Sequence, residues 1–185
     1  MTGTFFQRAA YRVRQFGWAV AAWWRRPSAA ALEAARSVLP EAGWRVFSKM
    51  PAVDQTHALK VWADLRAAGY DDAALAQAAL LHDAAKRMGG VTLPHRVAVV
   101  LIKAFAPERW NQLKAQPEPP RRSPLYPLWA HANHPLTGAR LAGQVGCHPQ
   151  AVELIRRHQD PLPPAAQMTA QDRLLAALQK ADDEH

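Results

Sequence analysis

Apolar residues recur along this chain mainly at three- and four-residue steps, the spacing of one face of an α-helix. The clearest case is residues 51–68, where Val61, Leu65 and Ala68 follow one another at such steps, on the same face as His57. The apolar run 97–102 is continuous, so it also fits a buried strand, but helical patterns on both sides favour a helix. We therefore predict an all-α protein.

Caps and helix breakers set the expected limits of these helices. Ser28 and Thr169 are expected N-cap residues, and Gly69 is an expected stop signal. The prolines within residues 116–124 exclude a regular helix and predict a surface loop. The predicted helices cover residues 5–24, 28–39, 40–50, 51–68, 73–86, 94–106, a short segment after 107, 125–132, 134–146, 149–158 and a last helix from 170 that presents residue 182 near its end.

Composition supports this assignment. Alanine and leucine outnumber valine, isoleucine and threonine, which favours helix over sheet. A chain of 185 residues is long enough for one domain with a substantial core. We predict a domain over residues 50–185, with residues 1–49 as a basic, aromatic-rich helical extension packed on it. The single cysteine, Cys147, excludes an internal disulfide and fits a reducing, cytoplasmic compartment.

Positive charge is concentrated at the N-terminal end. The net charge is +8, and the first 49 residues hold eight lysines and arginines against two acids. Residues 5–26 mix aromatic side chains with arginines, which makes them a candidate for weak, peripheral contact with a membrane surface. Packing of this helix on the domain is the alternative. Its apolar stretch is too short to span a bilayer, and no specific nucleic-acid partner is predicted.

Histidines and acids form the candidate chemistry. His82 and Asp83 are adjacent at the end of an alanine-rich helix, so they offer two metal ligands that leave the backbone in different directions. Four further nitrogen or oxygen ligands lie near the ends of predicted helices: His57, His134, His158 and Asp182. Imidazole and carboxylate together suit divalent iron, manganese or zinc. The sequence therefore predicts a metal site.

The order of these ligands resembles that of the HD-domain superfamily of metal-dependent phosphohydrolases. The resemblance covers roughly residues 50–183 and implies an HD-type helical bundle. It is carried by Asp54-Gln-Thr-His57-Ala-Leu, Ala78-Ala-Leu-Leu-His82-Asp83-Ala-Ala-Lys86, His134-Pro-Leu-Thr-Gly138-Ala, Leu154-Ile-Arg-Arg-His158-Gln and Leu178-Gln-Lys-Ala-Asp182. The motifs are most similar to those of small stand-alone bacterial members.

The resemblance also implies a division of the ligands between two divalent ions. Asp83 would bridge the two ions. The first ion would be held by His57, His82, Asp83 and Asp182, and the second by Asp83, His134 and His158. The implied activity is hydrolysis of a nucleotide or another small phosphorylated metabolite by a metal-activated hydroxide, with Asp83 as a catalytic residue.

Basic residues near the motifs are candidates for binding phosphate. Lys86 follows His82 by four residues, which would place it on the same face of a continuous helix, beside a bound phosphate. There it would bind substrate and act as a second catalytic residue by stabilising developing charge. Arg156 and Arg157 directly precede His158 and are further substrate-binding candidates, and Arg140 is a weaker one. Solvated surface side chains are the alternative for all four.

Two other functions fit the same pattern. Diiron oxygenases of the HD fold share the six ligands, so ligand identity does not separate hydrolysis from oxygenation. A membrane-surface signalling module with a structural metal is the second alternative. Two subfamilies fit less well, because residues 84–87 lack the Glu-Asp pair of (p)ppGpp hydrolases and no Gly-Tyr-Pro signature of cyclic-di-GMP phosphodiesterases follows His158.

Overall fold

The computed structural model describes residues 26–87, 90 and 92–185. This part of the chain contains ten α-helices and no strand, which confirms the all-α prediction. The helices are α1 (Ala29–Val38), α2 (Glu41–Ser48), α3 (Ala52–Ala67), α4 (Ala73–Leu81), α5 (Leu93–Phe105), α6 (Pro107–Ala115), α7 (Tyr126–Ala132), α8 (His134–Gln144), α9 (Pro149–Arg157) and α10 (Ala170–Asp183). Short 3-10 turns cover Ala84–Arg87 and Ala165–Gln167. The predicted helix over residues 5–24 lies outside the described residues.

The predicted caps form at both ends of the described chain. The side chain of Ser28 accepts the N–H of Ala31 at 3.2 Å and starts α1. The hydroxyl of Thr169 accepts the N–H of Asp172 at 3.1 Å, and the Asp172 carboxylate accepts the N–H of Thr169 at 3.0 Å. These bonds satisfy N–H groups that have no partner inside a helix. Residues 97–102 are helical within α5, so the strand alternative is wrong.

One helix boundary differs from the prediction. The helix expected over residues 73–86 ends at Leu81, and the chain continues as a turn and then as the 3-10 turn Ala84–Arg87. The His82 ring explains the change, because its Nδ1 donates to the carbonyl of Ala79 at 2.9 Å. That carbonyl is the acceptor that the N–H of Asp83 would need in a longer α-helix. The side chain therefore takes the place of the next helical hydrogen bond.

The main core lies around α4. This helix is almost entirely buried, and α1, α2, α3, α9 and α10 all contact it. Its many alanines let these neighbours approach closely, while large side chains such as Phe47, Leu154 and Leu178 fill the remaining space. Residues 29–48 contribute to this same core. The described part of the N-terminal extension thus packs on the domain, while the boundary at residue 50 stays a prediction.

A thinner layer is formed by α5, α6 and α7. Its buried residues form two small clusters, one around Trp110 and one around Trp129. Several apolar side chains of this layer remain more than half exposed: Val97, Val100, Leu101, Phe105 and Leu125. Through α7 the layer contacts the 3-10 turn Ala84–Arg87 and α8. Across the described ranges, each helix is too short or too polar to cross a membrane.

Candidate metal centre

The six predicted ligands come together around the end of α4. Four of them, His82, Asp83, His134 and His158, are buried. Five separate segments supply the six ligands, because His82 and Asp83 are adjacent. His57 lies within α3, and His82 and Asp83 lie just after the end of α4. His134 is the first residue of α8, His158 directly follows α9, and Asp182 lies in the last turn of α10. The side chains therefore meet although they span 125 residues of sequence.

Backbone carbonyls orient three of the imidazoles in the same way. As at His82, the Nδ1 of His134 donates to the carbonyl of His131 at 2.7 Å, and the Nδ1 of His158 donates to that of Ile155 at 2.7 Å. In a continuous α-helix, the carbonyl of His131 would accept the N–H of residue 135. That residue is Pro135, which has no N–H, so the carbonyl is free to accept from His134. A carbonyl only accepts, so Nδ1 carries the proton and Nε2 presents a lone pair. Three metal-binding nitrogens are thereby aimed inward.

One carboxylate oxygen of Asp83 faces the second histidine pair. Its Oδ1 lies 3.4 Å from the Nε2 of His134 and 3.8 Å from the Nε2 of His158, and the two nitrogens are 3.1 Å apart. These distances leave a point about 2.0 Å from all three atoms, which is the ordinary metal–nitrogen distance. Two lone pairs and an anionic oxygen point at that position, so the arrangement fits a cation.

The other oxygen of Asp83 faces the first ligand group. Its Oδ2 lies 3.5 Å from the Nε2 of His82 and 3.9 Å from the Nε2 of His57. Asp182 closes this side, because its Oδ1 is 2.9 Å from the Nε2 of His57 and 3.3 Å from the Nε2 of His82. The structure thus brings Asp182 into the cluster.

Two buried atoms of the cluster lack a hydrogen-bond partner among the described residues. They are the Nε2 of His82 and the Oδ1 of Asp83, one on each side of the bridge. Buried polar atoms are nearly always satisfied, so such a pair of acceptors calls for a group that the protein itself does not supply. The two triads His57, His82, Asp83 and Asp83, His134, His158 have the geometry to hold a metal ion.

The carboxylates of the cluster stay ionised despite their burial. Burial raises the pKa of Asp83, but the neighbouring His82 and Lys86 outweigh it and hold that pKa well below its usual range. Burial also raises the pKa of Asp182, but hydrogen bonds with His57 and His82 outweigh that effect and lower the pKa. Both side chains are therefore anionic ligands at neutral pH.

The histidine pKa values divide according to whether one carboxylate or both act on the imidazole. Burial lowers the pKa of His158 to about 3 and also lowers the pKa of His134, so both imidazoles are neutral near pH 7, as metal ligation requires. His82 differs, because Asp83 and Asp182 outweigh the effect of burial and raise its pKa.

Lys86 contacts the cluster through Asp83 rather than through a helical face shared with His82. Its ammonium donates to the Oδ2 of Asp83 at 2.5 Å, and its side chain is 27% exposed. The expectation of a shared helical face with His82 was wrong, because the chain between them is not α-helical. The 3-10 turn instead brings position 86 over position 83. Lys86 thus lies between Asp83 and the solvent.

The two arginines before His158 are engaged elsewhere. Arg156 forms two hydrogen bonds to the carboxylate of Glu153, at 2.7 and 2.6 Å, on an exposed surface. Arg157 donates to Asp172 at 2.8 Å and thereby joins α9 to α10. The structure brings the six ligands and Lys86 together but does not bring these guanidinium groups to them. A substrate-binding role for Arg156 and Arg157 has no support in this geometry.

Two contributors to the site were missed from the sequence. The carbonyl of His131 orients His134, and the amide nitrogen of Gln159 lies 3.4 Å from the Nε2 of His134. Gln159 directly follows a ligand, which is the only signal that would have indicated it. The His131 carbonyl could have been found from Pro135, whose missing N–H leaves that acceptor free.

Comparison with known proteins gives no further guidance. No family model, no curated protein and no solved structure matches this chain. The HD-type resemblance therefore rests on the order of the motif residues. The metal centre rests on the geometry of the cluster.

Proposed function

We propose that this protein is a metal-dependent phosphohydrolase of the HD type, in which Asp83 is shared by two divalent ions. The observation that carries the proposal is the position of the Asp83 carboxylate. Its Oδ1 faces His134 and His158, while its Oδ2 faces His57 and His82. A carboxylate that binds one ion has no need of imidazoles on both of its oxygens, whereas a bridging carboxylate does.

The charge of the cluster supports binding of a cation. The cluster holds two carboxylates, Asp83 and Asp182, with Lys86 as its nearest ammonium group. Uncompensated buried charge is costly, and cations within the imidazole and carboxylate shell would remove that cost. A set of nitrogen and oxygen ligands favours iron, manganese or zinc over calcium or magnesium.

The ions would supply two functions in phosphate ester or anhydride hydrolysis. When bound, they lower the pKa of a coordinated water and neutralise charge on phosphoryl oxygens. The protein's own residues do the rest. Asp83 would hold both ions through its two oxygens, and the carbonyl-bonded imidazoles keep their ring orientation. Lys86 is close enough to Asp83 to donate to a phosphoryl oxygen beside it, where an ammonium group stabilises developing charge.

The substrate class follows from the resemblance and from the accessible side of the cluster. We propose a nucleotide or another small phosphorylated metabolite, approaching past Lys86. A cytoplasmic location fits the lone cysteine, Cys147, which is buried and unpaired. Weak contact with a membrane surface was predicted for residues 5–26, of which all but Arg26 lie outside the described residues. That contact stays a prediction.

The proposal is tested by metal analysis followed by a phosphate-release screen. Protein purified without chelator is expected to contain about two transition-metal ions per chain. It should release phosphate from at least one nucleotide, dinucleotide or sugar phosphate, and chelator should abolish that release. Dioxygen consumption by iron-loaded protein, without phosphate release, would instead support the diiron oxygenase. Bound metal with neither activity would favour a signalling module with a structural ion.

A further inference from the structure

A cavity lies beside α7, and its lining is distinct from the six candidate ligands. It has a volume of about 210 Å³ and is bounded by α7, α8, the 3-10 turn Ala84–Arg87 and the loop that precedes α7. Of the described residues that line it, none is one of the six ligands. At about 30 Å³ for each water, the space equals roughly seven waters, which suits a single substituted ring rather than a dinucleotide.

The inner wall of this cavity is apolar and flat. It contains Trp129 and Tyr126, whose rings are stacked with centroids 6.2 Å apart and an angle of 28° between planes. The indole N–H of Trp129 donates to the carbonyl of Gln116 at 2.9 Å, which fixes the ring. Ala85 adds a small side chain to the same wall. Buried aromatic surfaces of this kind favour a planar, apolar ligand body.

Two arginines stand at the exposed edge of the cavity. Arg121 comes from the loop before α7, and Arg140 comes from α8. Neither forms an ion pair with any residue that the structure describes, whereas Arg156 and Arg157 both do. A guanidinium group presents paired N–H donors that match the oxygens of a carboxylate or a phosphate. The edge therefore offers two free anion-binding groups beside an aromatic wall.

One acid also lines the cavity. Glu118 lies on the same loop as Arg121, and within the described ranges it too makes no ion pair. With two guanidinium groups and one carboxylate, the cavity keeps a net positive charge. Glu118 opposes an anion at this position, so its removal should strengthen anion binding.

We propose that this cavity binds a small planar anion, namely an aromatic or heterocyclic ring that carries a phosphoryl or carboxylate group. The ring would pack on Trp129 and Tyr126, and the anionic group would bind Arg121 and Arg140. The site shares no ligand residue with the metal centre. The two proposals can therefore be tested independently.

The test is calorimetric titration of the full-length chain with phenylphosphonate, whose carbon–phosphorus bond resists hydrolysis. Benzoate and inorganic phosphate are titrated in parallel to separate the two anionic groups and to measure the contribution of the ring. Saturable binding of phenylphosphonate, tighter than that of inorganic phosphate and unchanged by chelator, is expected. Absence of binding, or binding that chelator removes, would overturn the proposal, because the anion would then be a ligand of the metals.

Three exposed substitutions locate the binding. Arg140→Gln should weaken phenylphosphonate binding about tenfold, which is the usual effect of one lost charge-assisted hydrogen bond. Glu118→Gln should strengthen binding up to about fivefold. Arg122→Gln is the matched control, because it removes the same charge next to Arg121 but does not line the cavity. If Arg122→Gln weakens binding as much as Arg140→Gln, the attraction is diffuse and the proposed site is wrong.

Discussion

The ligands on the two sides of Asp83 differ in their access to solvent. On the first side, the side chains of His57 and Asp182 are 25% and 26% exposed. On the second side, the side chains of His134 and His158 are each only 1% exposed. The centre is therefore open on one side and closed on the other, and Asp83 lies at the boundary.

This difference has a physical consequence for each side. On the closed side, the imidazoles are almost fully shielded from water, and the Asp83 Oδ1 that faces them has no hydrogen-bond partner among the described residues, so a bound cation would satisfy it. On the open side, His57 and Asp182 can exchange partners with water, whereas His82 is fully buried behind them. Under the proposed function, the closed side would hold its ion as a fixed part of the site. The open side is where a phosphate would enter.

Asp83→Asn is expected to have the largest effect, because it removes the anionic bridge from both sides. Asparagine keeps the shape of the side chain but supplies a single oxygen ligand and no charge. Metal content should fall at both positions, and phosphate release should drop by more than about 100-fold, beyond the loss typical of groups that only support a ligand. Elemental analysis and a turnover assay measure the two effects. Full activity in this variant would refute the bridging role.

His158→Gln should separate the two sides. It removes one ligand of the closed side, so we expect loss of about one ion per chain while the ion held by His57, His82 and Asp182 stays. His57→Gln is the matched variant for the open side and should spare the closed one. Metal counting by elemental analysis distinguishes the two. Loss of both ions in either variant would contradict the proposed division of the ligands.

Lys86→Met should leave the metals in place and reduce turnover. The ammonium group is bonded to Asp83 but is not a ligand, since it has no lone pair when charged. Its loss removes one cation from the phosphate position, which typically costs about 100-fold in turnover. The control is metal content, expected at two ions per chain as in the parent protein. Unchanged turnover would assign Lys86 a purely structural role.

Asp172→Asn should have the smallest effect. We expect a loss of folding stability that does not distinguish the two sides of Asp83. Asp172 bonds Arg157, next to His158, from the helix that also carries Asp182. Hydrogen bonds from Thr169 and then Arg157 lower the pKa of Asp172 from 3.8 to about 2. A lowered carboxyl pKa stabilises the fold fully above about pH 3.8, and this stabilisation disappears as pH falls through about 2.

The variant is therefore expected to unfold at a lower urea concentration than the parent at pH 7, with a smaller difference at pH 3. Metal content should be unchanged at neutral pH. A stability difference that is as large at pH 3 as at pH 7 would show that the carboxylate charge of Asp172 is not what stabilises the α9–α10 contact.

Much of the fold was predictable because it depends on local patterns. Most described helices end within two residues of their predicted limits, since caps, prolines and glycines act on neighbouring backbone groups. The error at α4 has a local cause that sequence periodicity does not contain. The His82 ring competes for the Ala79 carbonyl only when the ring is held in one orientation, and tertiary packing sets that orientation.

The sequence by itself determined the helical class, the cap positions and the six residues that offer metal ligands. Residue type and spacing are enough for these, because they reflect chemistry that acts over a few residues. Only the tertiary structure decided that Asp83 points one oxygen to each histidine group and that Arg157 turns toward Asp172. Those outcomes depend on which distant helices pack against α4, and no local sequence pattern determines packing across the core.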